Sequence, residues 1–296
     1  MLLAGTRAVN PKPLSTTLSF SGSTQTILPV PIPLIAAMSL EQSLCFYLSP
    51  FELLAVCIIP PSLLSVLGLY LFRKTFSLRF LNRSHDVTGP FFTTMGTVYG
   101  IFLAFVFTAT WEAFSTTSAN AVQEARYLRD LYFVTSAFSQ PIQDELRQVL
   151  RAYRDSIVND EWKSLERGEA SPKTTQLQRK IGEAYLRIKP GNENEKVFLD
   201  TSIQYLTKMT NLRASRIDDS CSSLPPFLWL IILVGAAATI GLSYLFEAQN
   251  FWLQVLLTVL LTGLICMTFY IIIDLDFPFT GGTSVSPEAF QRIDMS

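Results

Sequence analysis

The chain has 296 residues, 49% of them hydrophobic and only 16% charged, with a formal net charge of −1. This is apolar for a soluble protein, and the charges gather mid-chain while four long apolar runs carry almost none, a segregation that points to a bilayer. The near-zero net charge supplies no basic field for nucleic acid, and a single histidine, His85, excludes a multi-histidine metal centre within one chain.

Residues 1–40 contain no Asp or Glu, are rich in Ser, Thr and Pro, and carry only Arg7 and Lys12. That composition suits an organelle transit segment and equally a disordered tail. The apolar patch Ile27 to Met38 is interrupted by Pro29, Pro31 and Pro33, which excludes a helical span. The first span is expected from Phe51 to Phe72, with Pro60-Pro61 kinking or breaking it, and the basic residues Arg73, Lys74, Arg79 and Arg83 follow. Gly89-Pro90 opens the second span, Phe91 to Trp111, which is free of charge.

The middle of the chain reads as helices. Ser115 to Ala137 is Ala-rich and continues from the second span; Gln140-Pro141 restarts a helix whose Ile142, Leu146, Val149, Tyr153 and Ile157 share a face and which ends near Gly168. Ser171-Pro172 supplies an N-cap with Pro at the first helical position, Pro190-Gly191 ends that helix, and a fourth runs from about Glu193 to Ile217. Pro225-Pro226 introduces the third span, Phe227 to Phe246, and a turn at residues 247–250 leads to the fourth, Phe251 to Ile273, as an antiparallel hairpin. No strand pattern occurs. The fold class expected is all-α: a polytopic membrane protein with two transmembrane pairs, 46–111 and 225–273, flanking an extramembrane bundle at 112–224, with 1–45 as a disordered or targeting segment and 274–296 as a C-terminal tail.

In the second span Gly96, Gly100, Ala104 and Thr108 recur every four residues, a stripe that lets another helix approach closely. Val98, Phe102 and Val106 form a parallel bulky row that faces lipid in an ordinary bundle or narrows the pore of an oligomeric channel. Glu112, beside the interfacial Trp111, and Glu124 are candidate vestibule carboxylates; the alternative is local pairing, Glu124 with Arg126 or Arg129. Asp274 and Asp276 precede Phe277-Pro278-Phe279-Thr280-Gly281; two acids are few for calcium, and they are expected to mark the interface and hold a tight turn. Cys45, Cys57, Cys221 and Cys266 lack metal or redox spacing and read as small hydrophobes. With no P-loop, nucleophile elbow, dinucleotide fingerprint or zinc motif, neither an enzyme nor a cofactor is expected.

The runs Gly100 to Phe105 with Trp111, Glu124-Ala125, Leu128 to Tyr132, Leu150 to Tyr153 and Asp160-Glu161-Trp162 resemble the bestrophin-like membrane family. The order continues through Leu212-Arg213, Arg216, Leu224-Pro225, Trp229 and Asp276 to Gly281, so the resemblance spans roughly residues 50 to 292. It implies an architecture similar to bestrophins, which are homopentameric anion channels with the pore lined by the second helix. It also implies that Val98, Phe102 and Val106 form the apolar neck, and that the helical segment and both termini lie on the cytosolic side or its organellar equivalent. The sequence after the Pro-Phe turn, Gly282-Thr-Ser-Val285, lacks the acidic run of calcium-gated bestrophins, so calcium gating is not expected. The expected function is a homo-oligomeric chloride channel in the plasma membrane or an organelle membrane, with the lipid bilayer and further copies as partners. The rival is a non-conducting scaffold whose helical domain docks a soluble partner.

Overall fold

The computed structural model describes residues 49–75, 85–245 and 250–295. The N-terminal segment with Cys45, the loop with Arg79 and Arg83, and residues 246–249 of the expected third span and turn lie outside them. Among the described residues nine α-helices follow in chain order: α1 Pro50–Thr75, α2 His85–Val134, α3 Gln140–Ser156, α4 Trp162–Leu165, α5 Pro172–Arg187, α6 Glu193–Cys221, α7 Pro226–Ser243, α8 Phe251–Asp276 and α9 Glu288–Gln291. Among the described residues there is no strand, and α1, α2, α7 and α8 are long and apolar enough to cross a bilayer.

Local chemistry sets the helix boundaries. Ser49 and Glu52 cap α1 reciprocally, the Ser49 amide donating to the Glu52 carboxylate at 2.8 Å and the Glu52 amide to Ser49 Oγ at 3.3 Å. The Ser171 hydroxyl accepts from the Thr174 amide ahead of Pro172, the cap read from sequence, and the Asn192 side chain accepts from the Glu195 amide at the start of α6. Pro60 and Pro61 do not break α1, which runs on through both. A five-residue π-turn, Ile157–Glu161, separates α3 from α4. Its wider winding advances the chain by an extra residue, so that Ile157, Glu161 and Trp162 all join the interior that Leu146, Leu150 and Tyr153 occupy on α3.

The 50-residue α2 is the axis of the molecule, about 75 Å long at 1.5 Å per residue. Its first half lies in the membrane layer against α7 and α8, and its second half forms the domain core with α6 running antiparallel beside it. Within the membrane layer the main contacts cross the pairs of the chain order: α1 packs along α8, and Tyr99 on α2 donates its hydroxyl to the Ile232 carbonyl on α7 at 2.9 Å. Gly235 makes that approach feasible, because a Cβ there would collide with the Tyr99 ring.

The segment after α8 is not a loose tail. Phe279, Val285, Phe290, Ile293 and Met295 are buried in the domain core. Trp162 Nε1 donates to the Val285 carbonyl, and Tyr132 Oη to the Met295 carbonyl, each at 2.8 Å. The cause is apolar: the aromatic residues of this segment fill the space beside Trp162 that the helices alone leave open.

Candidate functional site

In the membrane layer α2 has two faces. Tyr99, Leu103, Val106 and Thr110 are buried against the chain's own helices. On the opposite side Thr94, Thr97, Ile101, Ala104, Thr108 and Glu112 are all exposed, at the three-to-four-residue spacing of one helical face. Thr94, Thr97 and Thr108 each donate the hydroxyl to the carbonyl four residues earlier, at 2.9, 2.8 and 2.8 Å. No charged side chain lies on this row before Glu112.

The row expected as a constriction does not stay on one face. Val98 is 61% exposed, Phe102 is half-buried against the membrane core and Val106 is only 6% exposed within it. A strict four-residue repeat turns by about 40° per step on a helix of 3.6 residues per turn, which carries the row from the free side into the core. The same drift moves the small-residue stripe the other way. Gly96 is half-buried, Gly100 and Ala104 are exposed, and a Cβ added at Gly96 or Gly100 meets nothing within 4 Å. Among the described residues, no other helix comes within contact of a Cβ placed at Gly96 or Gly100.

Glu124 is neither at a mouth nor paired with Arg126 or Arg129. It is fully buried and accepts two hydrogen bonds from Arg216, at 2.8 and 3.1 Å, while Arg129 pairs with Asp130. Glu161, delivered by the π-turn, accepts from Arg213 at 2.9 and 2.8 Å and lies 3.5 Å from Arg216. Arg213 is further held by Thr175 and Gln178. Two carboxylates and two guanidiniums thus balance inside the domain. Burial pushes the Glu124 carboxyl up from its ordinary range against the pull of Arg216, and burial of Arg216 is outweighed by Glu124 and Glu161, which hold its proton more tightly than usual. The Arg216 guanidinium also lies over the Trp162 ring, 4.8 Å from its centroid, and Phe290 closes the other approach at 5.8 Å.

At the membrane-facing end of the domain the two aspartates organise backbone. Asp274 accepts from the Gly282 and Thr283 amides at 2.9 and 3.1 Å, and Asp276 accepts from the Leu224 amide at 3.1 and 3.0 Å. Gly281 takes φ +75°, where a Cβ would strike the Asp274 carboxylate. Pro278 gives its carbonyl to the Val285 amide at 2.8 Å, and Phe279 meets Trp162 edge-on at 5.8 Å. Among the described residues no group of three or more His, Cys, Asp or Glu is placed to hold a metal ion. Glu112 lies nearby, lining a cleft of about 430 Å³ with Asp219, Asp276 and Asn120.

Four apolar spans joined to a helical domain make this an integral membrane protein of the all-α class. A Bestrophin-like domain model matches residues 59–290, and the chain belongs to the bestrophin-like family. Two crystal structures of a bacterial bestrophin homologue from Klebsiella pneumoniae, each a variant with one residue changed to threonine, share the fold. One is 13% identical with a TM-score of 0.63, covering 79% of this chain and 94% of that one. The other is 13% identical with a TM-score of 0.59, covering 81% and 95%. No curated protein matches the chain.

Sequence reasoning missed the four-membered charge cluster as a unit, although Glu124, Glu161, Arg213 and Arg216 all fall within the runs that carried the family resemblance. Those runs are the available signal. Charged residues inside segments whose helical periodicity buries them have to find one another.

Proposed function

We propose that the protein is a homo-oligomeric ion channel whose pore is bounded by the free face of α2 from each copy. The observation that carries this is the row Thr94, Thr97, Ile101, Ala104, Thr108 and Glu112, exposed within an apolar span and turned away from the chain's own core. In a monomer this row would face acyl chains up to the interface at Glu112; around an axis shared by several copies it would line a conduit. Only 17% of the most apolar window of α1, α2 and α7, and 28% of that of α8, is buried within one chain, which leaves wide surfaces for further copies and lipid. The bestrophin resemblance implies five copies and chloride as the permeant ion; the pore reading itself requires only a small ion.

Ile101 replaces the row expected from sequence as the constriction. It lies at the centre of the free face, with the exposed Phe105 one turn further on, and a ring of such groups gates by dewetting. Native mass spectrometry of the detergent-solubilised protein tests the assembly, with a closed oligomer expected and a monomer contradicting it. The second reading, a scaffold that docks a soluble partner, is favoured by Leu186 and Val197, which stand 83% and 61% exposed on the helical domain. A conducting oligomer counts against it.

A further inference from the structure

We infer that the permeant ion is a cation and that Glu112 sets this sign. The inference rests on the proposed pore along α2. Thr94, Thr97 and Thr108 spend their hydroxyl protons on the carbonyls of their own helix, so each turns oxygen lone pairs, not a donor, toward the free side. Ile101 and Ala104 between them contribute no polar group. From Phe91 to Ala125 the helix contains no Lys, Arg or His, and of its two carboxylates Glu124 is neutralised in the domain by Arg216. Glu112 is the charge that remains, exposed and directly after the apolar part of the span.

The surroundings reinforce the sign. The cleft that Glu112 lines also contains Asp219, and among the described residues that line it none is basic. Asp219 is held in place by the Thr117 hydroxyl at 2.8 Å. The first basic group further along α2 is Arg126, fourteen residues on, about 21 Å at 1.5 Å per residue. That exceeds two Debye lengths at physiological ionic strength, so Arg126 is screened from an ion beside Glu112. Repeated around a symmetry axis, Glu112 becomes a ring of carboxylates at the domain end of the neck, the arrangement that favours cations, and chloride finds no donor along the face to replace its hydration.

The test is the reversal potential of the purified full chain in planar bilayers under a tenfold KCl gradient. The parent chain is expected to reverse on the potassium side of zero. Glu112→Gln should lower the potassium-to-chloride permeability ratio about fivefold or more, the factor set by about 1 kcal/mol between unit charges 4 Å apart in water. Glu112→Lys should carry the reversal to the chloride side, and Glu183→Gln, on the outer surface of α5, should leave it unchanged. A parent chain that conducts but reverses on the chloride side overturns the cation assignment and leaves the pore reading standing. A cation-selective parent whose reversal ignores both Glu112 changes overturns the role of Glu112. A parent chain that forms oligomers but carries no current overturns the pore reading and this inference together.

Discussion

Arg216 is the largest side chain fully buried among the described residues, and its environment explains how a guanidinium survives there. Two carboxylates neutralise it and two aromatic rings close over it, yet its Nη1 and the nearby Tyr153 hydroxyl find no hydrogen-bond partner among the described residues. Removing the two groups should have opposite outcomes. Arg216→Met leaves two buried carboxylates with one cation, and is expected to destabilise the domain by about 3–5 kcal/mol. Tyr153→Phe deletes an unpaired hydroxyl and should leave the melting temperature unchanged or raised, since the ring remains and a buried orphan is lost. Thermal unfolding of both variants in one detergent checks the pair. The identity of these residues was legible in the sequence but their partnership was not: Glu124 and Arg216 are 92 residues apart, and local spacing favoured Arg126 and Arg129, which lie on α2 outside the buried face.

At the scale of elements, the helices followed from periodicity and from Pro and Gly placement, and the Ser171 cap from its Ser-Pro pair, because those signals act within one turn; the caps at Ser49 and Asn192 were not read. Which face of α2 is free did not follow. A four-residue spacing looks like a stripe on paper, and only the packing of α7 and α8 against Tyr99, Leu103 and Val106 fixes the direction of the core. The π-turn at Ile157–Glu161 was equally hidden, since nothing in IVNDE marks an added residue in the winding. The geometry of the turn after α8 makes a sharp prediction. Gly281→Ala forces a side chain into the left-handed region and against Asp274, and should cost about 1–3 kcal/mol, with Gly282→Ala nearer neutral because its neighbour carries the strained φ. Unfolding midpoints of the two variants separate a specific backbone requirement from a general intolerance of bulk.

For the whole molecule, the four spans and the helical insert were evident from hydropathy, whereas the route of the chain after residue 276 was not, because Val285, Phe290 and Ile293 are too few and too widely spaced to read as core. In the fold they strap the end of α8 to the domain, through Trp162, Tyr132 and the Met295 carbonyl. Deleting residues 285–295 should therefore expose the Trp162 face and make the helical domain, more than the spans, susceptible to limited proteolysis. The same division by faces underlies the proposed channel: the buried side of α2 holds one copy together, and the free side is left for the axis that several copies share. Cysteine accessibility along α2 tests that claim most directly. With the conducting oligomer in a planar bilayer, a small charged methanethiosulfonate should reduce the current through Ile101→Cys and Thr108→Cys while leaving the parent chain and Val106→Cys unaffected. Unaltered currents at Ile101 and Thr108, or block at Val106 alone, would contradict the account.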